Sequence, residues 1–177
     1  MKPLSDFLVK YPTTNNEQPT TVGLDTILTT FNSGLGRKYN TILLGGFSEP
    51  IYIPAQQDSP AEIRFTHDYI RSALHELSHW FVAGAKRRML LDYGYWYLPD
   101  GRNQLQQAAF FKVEALPQAI EWVLSDACSI PFEVSVDNLE QTVNGKELFL
   151  KAVEIQKKRV ASAKTAPRVF EFLQDLI

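Results

Sequence analysis

The sequence predicts an α+β fold: a mainly helical single domain over residues 1–177, with a small sheet in its N-terminal half. Three observations predict it. Apolar residues recur at helical spacing of three and four near residue 24 and over most of the chain after residue 68. Three short strand-like runs all fall before residue 66. No linker, internal repeat or low-complexity tract divides the chain into two units.

The elements follow in order. Residues 11–20 (YPTTNNEQPT) are polar and contain proline, the composition of a loop. Leu24, Ile27, Leu28 and Phe31 share one helical face, and Gly34 supplies a stop. Residues 41–44 (TILL) and 51–53 (IYI) read as strands separated by a turn, GGFSEP. Residues 61–65 (AEIRF) alternate and read as a third strand. A helix is expected over 68–83, with Thr66 or Asp68 as its cap. Residues 90–97 (LLDYGYWY) are rich in aromatics and read as a strand. Pro99-Asp100-Gly101 signals a turn, after which Asn103 caps a helix running to about Glu114. Pro117 predicts a kink or a restart before helix 118–128. Helices over 146–163 and from a Thr165 cap to about Leu176 complete the chain.

Composition narrows the function classes. Hydrophobic residues make up 45%, charged residues 21%, and the net charge is −2. That excludes wholesale disorder and disfavours a basic nucleic-acid binder. A single cysteine, Cys128, excludes an internal disulfide framework and reads as a buried, reduced filler. No apolar run approaches the roughly 20 residues of a membrane span, and the N-terminus carries no signal-peptide pattern. The expectation is a cytoplasmic monomer with no membrane and no direct nucleic-acid partner.

The chemistry lies in the histidines. There are three, His67, His75 and His79, all in one 13-residue window. His75-Glu76-Leu77-Ser78-His79 is an H-E-x-x-H motif inside the expected 68–83 helix. Residues four apart on a helix project from one face, so both imidazoles can share one divalent ion. Glu76 beside them can serve as a catalytic base or proton handler. A third ligand must come from elsewhere. Position 85, where the extended motif places another histidine, is Ala85. A carboxylate is therefore expected: Glu114 first, in the apolar setting FFKVEAL, then Glu121, then Asp92. His67, eight residues before His75, reads as a neighbour or cap rather than a ligand. Two imidazoles and one carboxylate suit zinc and hydrolysis, or iron and oxygenation. Spacing does not choose between them, and the helix-borne motif by itself favours a zinc hydrolase.

ALHELSHWFVAGAKRR followed by LLDYGYWYLPDGR, with AAFFKVEALPQAIEW further on, resembles the bacterial elongation factor P hydroxylase family. The resemblance implies hydroxylation of the β-lysyl-modified lysine of elongation factor P, a modification supporting translation. It implies a divalent metal, Fe(II), held by His75, His79 and Glu114, with dioxygen as co-substrate and elongation factor P as the protein partner. It thereby reverses the hydrolase preference. The alternatives are a zinc metallopeptidase or amidase with Glu76 as general base, and a non-catalytic translation-factor binding module with a structural metal.

Other features carry two readings each. Lys86, Arg87 and Arg88 are a solvated helix end or a docking patch for an acidic partner. Tyr93, Tyr95, Trp96 and Tyr97 are a core strand or a wall gripping a cationic side chain, with Asp92 and Asp100 receiving its ammonium groups. The pairs Gly34-x-Gly36 and Gly45-Gly46 read as turns.

Overall fold

The computed structural model describes residues 21–95, 103–136, 143–160 and 166–177. Five helices and three strands make up the regular structure among them: α1 (Leu24–Phe31), β1 (Thr41–Phe47), β2 (Ile51–Ile53), β3 (Ala61–Thr66), α2 (Ile70–Val82), α3 (Gln104–Cys128), α4 (Val143–Val160) and α5 (Pro167–Leu176). The fold is mainly helical with a small sheet, as the periodicities predict.

The sheet has the order β1-β3-β2, with β1 parallel and β2 antiparallel to the central β3. Period-two alternation sets its faces. Ala61, Ile63 and Phe65 of β3 turn into the core, while Glu62 and Arg64 pair at 2.7 Å on the other face. β1 runs further than expected. It passes through Gly45 and Gly46 to Phe47, with an irregular register between Leu44 and Phe47. The pair therefore forms an irregular stretch of strand instead of a turn. A Cβ at Gly45 would lie 2.6 Å from the Asp68 carboxylate and 2.7 Å from the Phe65 ring, and Gly46 has a φ of +89°.

α1 ends where the sequence places it, but Gly34 does not stop the chain from coiling. Residues Asn32–Gly36 form a wide π-type turn, with Gly34 itself off helical dihedrals. Asn32 then ties this turn to the sheet, accepting from the Leu43 N–H at 2.8 Å and donating to its carbonyl at 3.1 Å.

α2 packs Ala73, Leu74, Leu77, Trp80 and Phe81 against the sheet, α1 and α5. The Trp80 ring meets Phe31 edge-on at 5.1 Å. Neither Thr66 nor Asp68 caps this helix; Tyr69 holds the N-cap position, without a side-chain bond. Ser72 instead reaches back from the first turn and accepts from the Thr66 N–H at 3.0 Å.

The expected strand over 90–97 is absent where the structure describes it. Leu91–Gly94 is a tight 3-10 turn with Asp92 and Tyr93 at φ of 44° and 57°. The aromatic content suggested β propensity, yet the two described rings, Tyr93 and Tyr95, pack separately. Tyr93 stacks on Tyr52 at 4.1 Å, and Asp92 Oδ1 accepts from the Tyr52 N–H at 2.8 Å. Trp96, Tyr97, Asp100 and the Pro99-Asp100-Gly101 turn lie outside the described residues.

α3 begins with the expected Asn103 cap, a reciprocal capping box with Gln106. It then runs unbroken through Pro117. Packing on both flanks overrides the proline. Ile120, Val123 and Leu124 join the main core, while Ala115 and Ala119 join a second cluster with Phe149 and Val153 of α4. Gln118 adds a two-way bond to the Ser135 backbone, at 2.8 and 3.0 Å. α5 starts on Pro167 in its first turn, with Ala166 at the N-cap. The expected Thr165 cap and residues 161–163 lie outside the described residues. No described helix is long and apolar enough to cross a membrane.

Candidate metal centre

The burial pattern of α2 dictates where its histidines go. With 73, 74, 77, 80 and 81 turned to the core, residues 75 and 79 fall together on the flank facing α3. His75 keeps 28% of its side chain exposed and His79 keeps 11%. Their Nε2 atoms stand 3.1 Å apart. Glu114 reaches the pair from α3 with only 3% of its side chain exposed. Its Oε2 lies 3.5 Å from His79 Nε2 and 3.9 Å from His75 Nε2.

The spacing can be tested against the demands of one shared ion. Bonds of about 2.0–2.2 Å put neighbouring donors about 2.8–3.6 Å apart, from octahedral to tetrahedral angles. The imidazole pair and the His79–Glu114 edge fall inside that range. The His75–Glu114 edge is wider, and the soft terminal torsion of a glutamate closes such a gap. These three residues form a group able to hold a metal, their ligand atoms all within 4.8 Å of one another.

Electrostatics bind the group together. Burial raises the Glu114 carboxyl, but the His79 and His75 imidazoles and a bond from Gln118 outweigh it and hold the group at about 2. Burial lowers the His75 imidazole, but the Glu121 bond and the charges of Glu121, Glu76 and Glu114 outweigh it and raise the group to about 10. Glu76, half-buried beside His75, is raised by burial; the two imidazoles oppose the shift and Glu114 and Asp92 add to it.

The other sequence candidates fall elsewhere. Glu121 is not in the three-residue group. It lies behind His75, with Oε2 2.8 Å from Nδ1. From there it can accept a hydrogen bond from Nδ1–H, which in the neutral imidazole turns the Nε2 lone pair toward a metal on the Glu114 and His79 side. Sequence reasoning missed this role, though a signal existed: 114 and 121 are two helical turns apart, so they share one face. Asp92 is engaged by the Tyr52 backbone and is no member of the group either. His67 has a φ of 47°, bridges Phe47 through its backbone and meets Tyr69 edge-on at 5.2 Å. Cys128 is fully buried, in line with a filler role. Arg88, one of the three cations the sequence marks after this helix, and Arg168, unremarked in the sequence, converge on the Ala83 carbonyl at 2.7 Å each, just past the end of α2.

Fold and site together define a class: a mainly helical protein in which two long helices bring a His–His–Glu group within reach of one divalent ion. Comparison with known proteins narrows it. The family described as Elongation factor P hydroxylase matches residues 30–177. A Haemophilus influenzae protein named "Elongation factor P lysine hydroxylase" is 43% identical over 152 residues, 85% of each chain. The chain belongs to the elongation factor P hydroxylase family.

Proposed function

We propose that this chain hydroxylates the β-lysyl-modified lysine of elongation factor P, using Fe(II) at His75, His79 and Glu114 and dioxygen as co-substrate. One observation carries the reading: the convergent His–His–Glu group lies in a chain of a hydroxylase family. Bound Fe(II) would supply redox chemistry with dioxygen that zinc, redox-inert, does not.

The protein's own residues do the rest. Glu121 orients His75, and the buried Glu114 gives an anionic ligand on the α3 side. Glu76 is the proposed catalytic residue. Its carboxyl, raised by burial, can exchange a proton, or as a carboxylate can receive the substrate's ammonium group. On this reading the enzyme works in the cytoplasm as a monomer and touches neither membrane nor nucleic acid.

The test is metal analysis of protein purified without added metal, then mass spectrometry of β-lysylated elongation factor P. The substrate is incubated with the enzyme, Fe(II), a reductant and air. Gain of one oxygen atom supports the reading. Native zinc with no oxygen added overturns it. Peptide cleavage blocked by Glu76→Gln favours a hydrolase, and binding without chemistry favours a binding module. Wild-type activity in Glu76→Ala removes Glu76 from catalysis.

A further inference from the structure

The segment that leaves the metal-bearing helix is chemically lopsided. Residues 83–91 read AGAKRRMLL, with three cations and no acid. Met89, Leu90 and Leu91 are 71%, 50% and 57% exposed, three large apolar side chains in a row. The other exposed large hydrophobics among the described residues stand apart from one another in sequence, which is ordinary for a surface.

This run is not a loose loop. The Arg88 N–H bonds the Gly84 carbonyl at 3.1 Å and the Leu90 N–H bonds the Arg87 carbonyl at 3.0 Å. Arg88 Nη1 reaches the Ala83 carbonyl at 2.7 Å, and the Tyr52 hydroxyl donates to the Arg88 carbonyl at 2.8 Å. Arg87 bonds the Tyr93 carbonyl and lies 4.2 Å over the Tyr95 ring. Carbonyls and ring faces fix these guanidiniums without neutralising them. Among the described residues no carboxylate pairs with Lys86, Arg87 or Arg88. A rigid, cationic, apolar-tipped surface thus starts at Lys86, seven residues beyond His79 and just past the end of α2.

We infer that residues 86–91 are the docking surface for the protein substrate, and that the facing region of elongation factor P is acidic around an apolar centre. The inference rests on the substrate proposed above. Charge complementarity picks the occupant: a second copy of this segment would set cation against cation. A fixed apolar centre with arginine and methionine around it matches the composition of interface cores.

The test is direct binding and steady-state kinetics with β-lysylated elongation factor P. It uses the metal-loaded triple variant Lys86→Glu, Met89→Ser, Leu91→Ser, whose exposed side chains do not hold the loop together. Kd and KM are expected to rise about tenfold or more, with kcat, bound metal and circular dichroism unchanged. Added salt should weaken the wild type more than the variant. Lys86→Glu alone should move both constants in the same direction. Unchanged Kd and KM in both variants overturn the inference. So does loss of self-association at constant substrate affinity. A wild type that binds elongation factor P but adds no oxygen refutes the hydroxylase reading instead, and leaves the docking surface standing.

Discussion

An imidazole serves a metal well only when its second nitrogen is held, and Glu121 holds that of His75. Glu121→Ala is expected to weaken divalent-metal affinity by about 10- to 100-fold. Glu121→Gln, still an acceptor, should recover part of the loss. Calorimetric titration with Co(II) reads both, and an alanine variant that binds as tightly as wild type removes Glu121 from the site. A second residue speaks to pH. Burial raises the Cys128 thiol from 9.0 to about 11. The unfolded chain therefore loses this proton first, and folding stability falls as pH rises above about 9. By pH 10 the loss is about 1.4 kcal/mol. Urea unfolding at pH 8 and pH 10 should show a smaller alkaline loss in Cys128→Ala than in wild type; equal losses would refute the burial argument. At this scale the sequence was legible wherever spacing sets geometry. His75 and His79 are four apart, and Glu114 is a lone carboxylate in apolar company. The functions of Glu121 and Asp92 were not legible, because each depends on a partner 40 or more residues away.

Among the elements, α3 carries the strongest conflict between local rule and packed structure. A proline inside a helix costs one backbone bond and a steric clash, about 3 kcal/mol. Yet α3 stays continuous over 25 residues. Continuity matters to the site, because Glu114 and Glu121 flank Pro117 and both reach His75. Pro117→Ala is accordingly expected to stabilise the fold by about 1–3 kcal/mol, with metal affinity unchanged. A raised urea midpoint with an intact metal titration meets that expectation. A lowered midpoint would mean that the proline shapes α3 in a way its neighbours require. The same contest explains what the element reading missed. Periodic helices and the alternating β3 were legible because one face of each is buried. The 91–94 turn was not, because aromatic β propensity is indistinguishable in sequence from rings that pack on a remote residue, Tyr52. Gly45 and Gly46 look like a turn in isolation. Only the approach of Phe65 and Asp68 to Gly45, and the positive φ of Gly46, explain them as part of β1.

The described residues of the molecule form two apolar clusters, and α3 contributes to both. The His–His–Glu group spans the seam between α2 and α3, the junction that ties the sheet side of the protein to the α3–α4 side. An ion bound there would cross-link helices whose ligands are 35 residues apart, from His79 to Glu114. Because the unfolded chain lacks this assembled site, binding adds to folding stability as RT ln(1 + [L]/Kd). At a free metal concentration 100 times Kd the gain is about 2.7 kcal/mol. For a chain of this size that raises Tm by about 5–10 °C. Differential scanning calorimetry should therefore show a Tm that climbs with added Fe(II) under anaerobic conditions, or with Co(II). A chelator should return it to the metal-free value. The double variant His75→Ala, His79→Ala should show no metal-dependent rise, whatever its own Tm. A wild-type Tm indifferent to both metals would mean that no ion bridges α2 and α3. An undiminished rise in the double variant would put the ion at some other set of ligands.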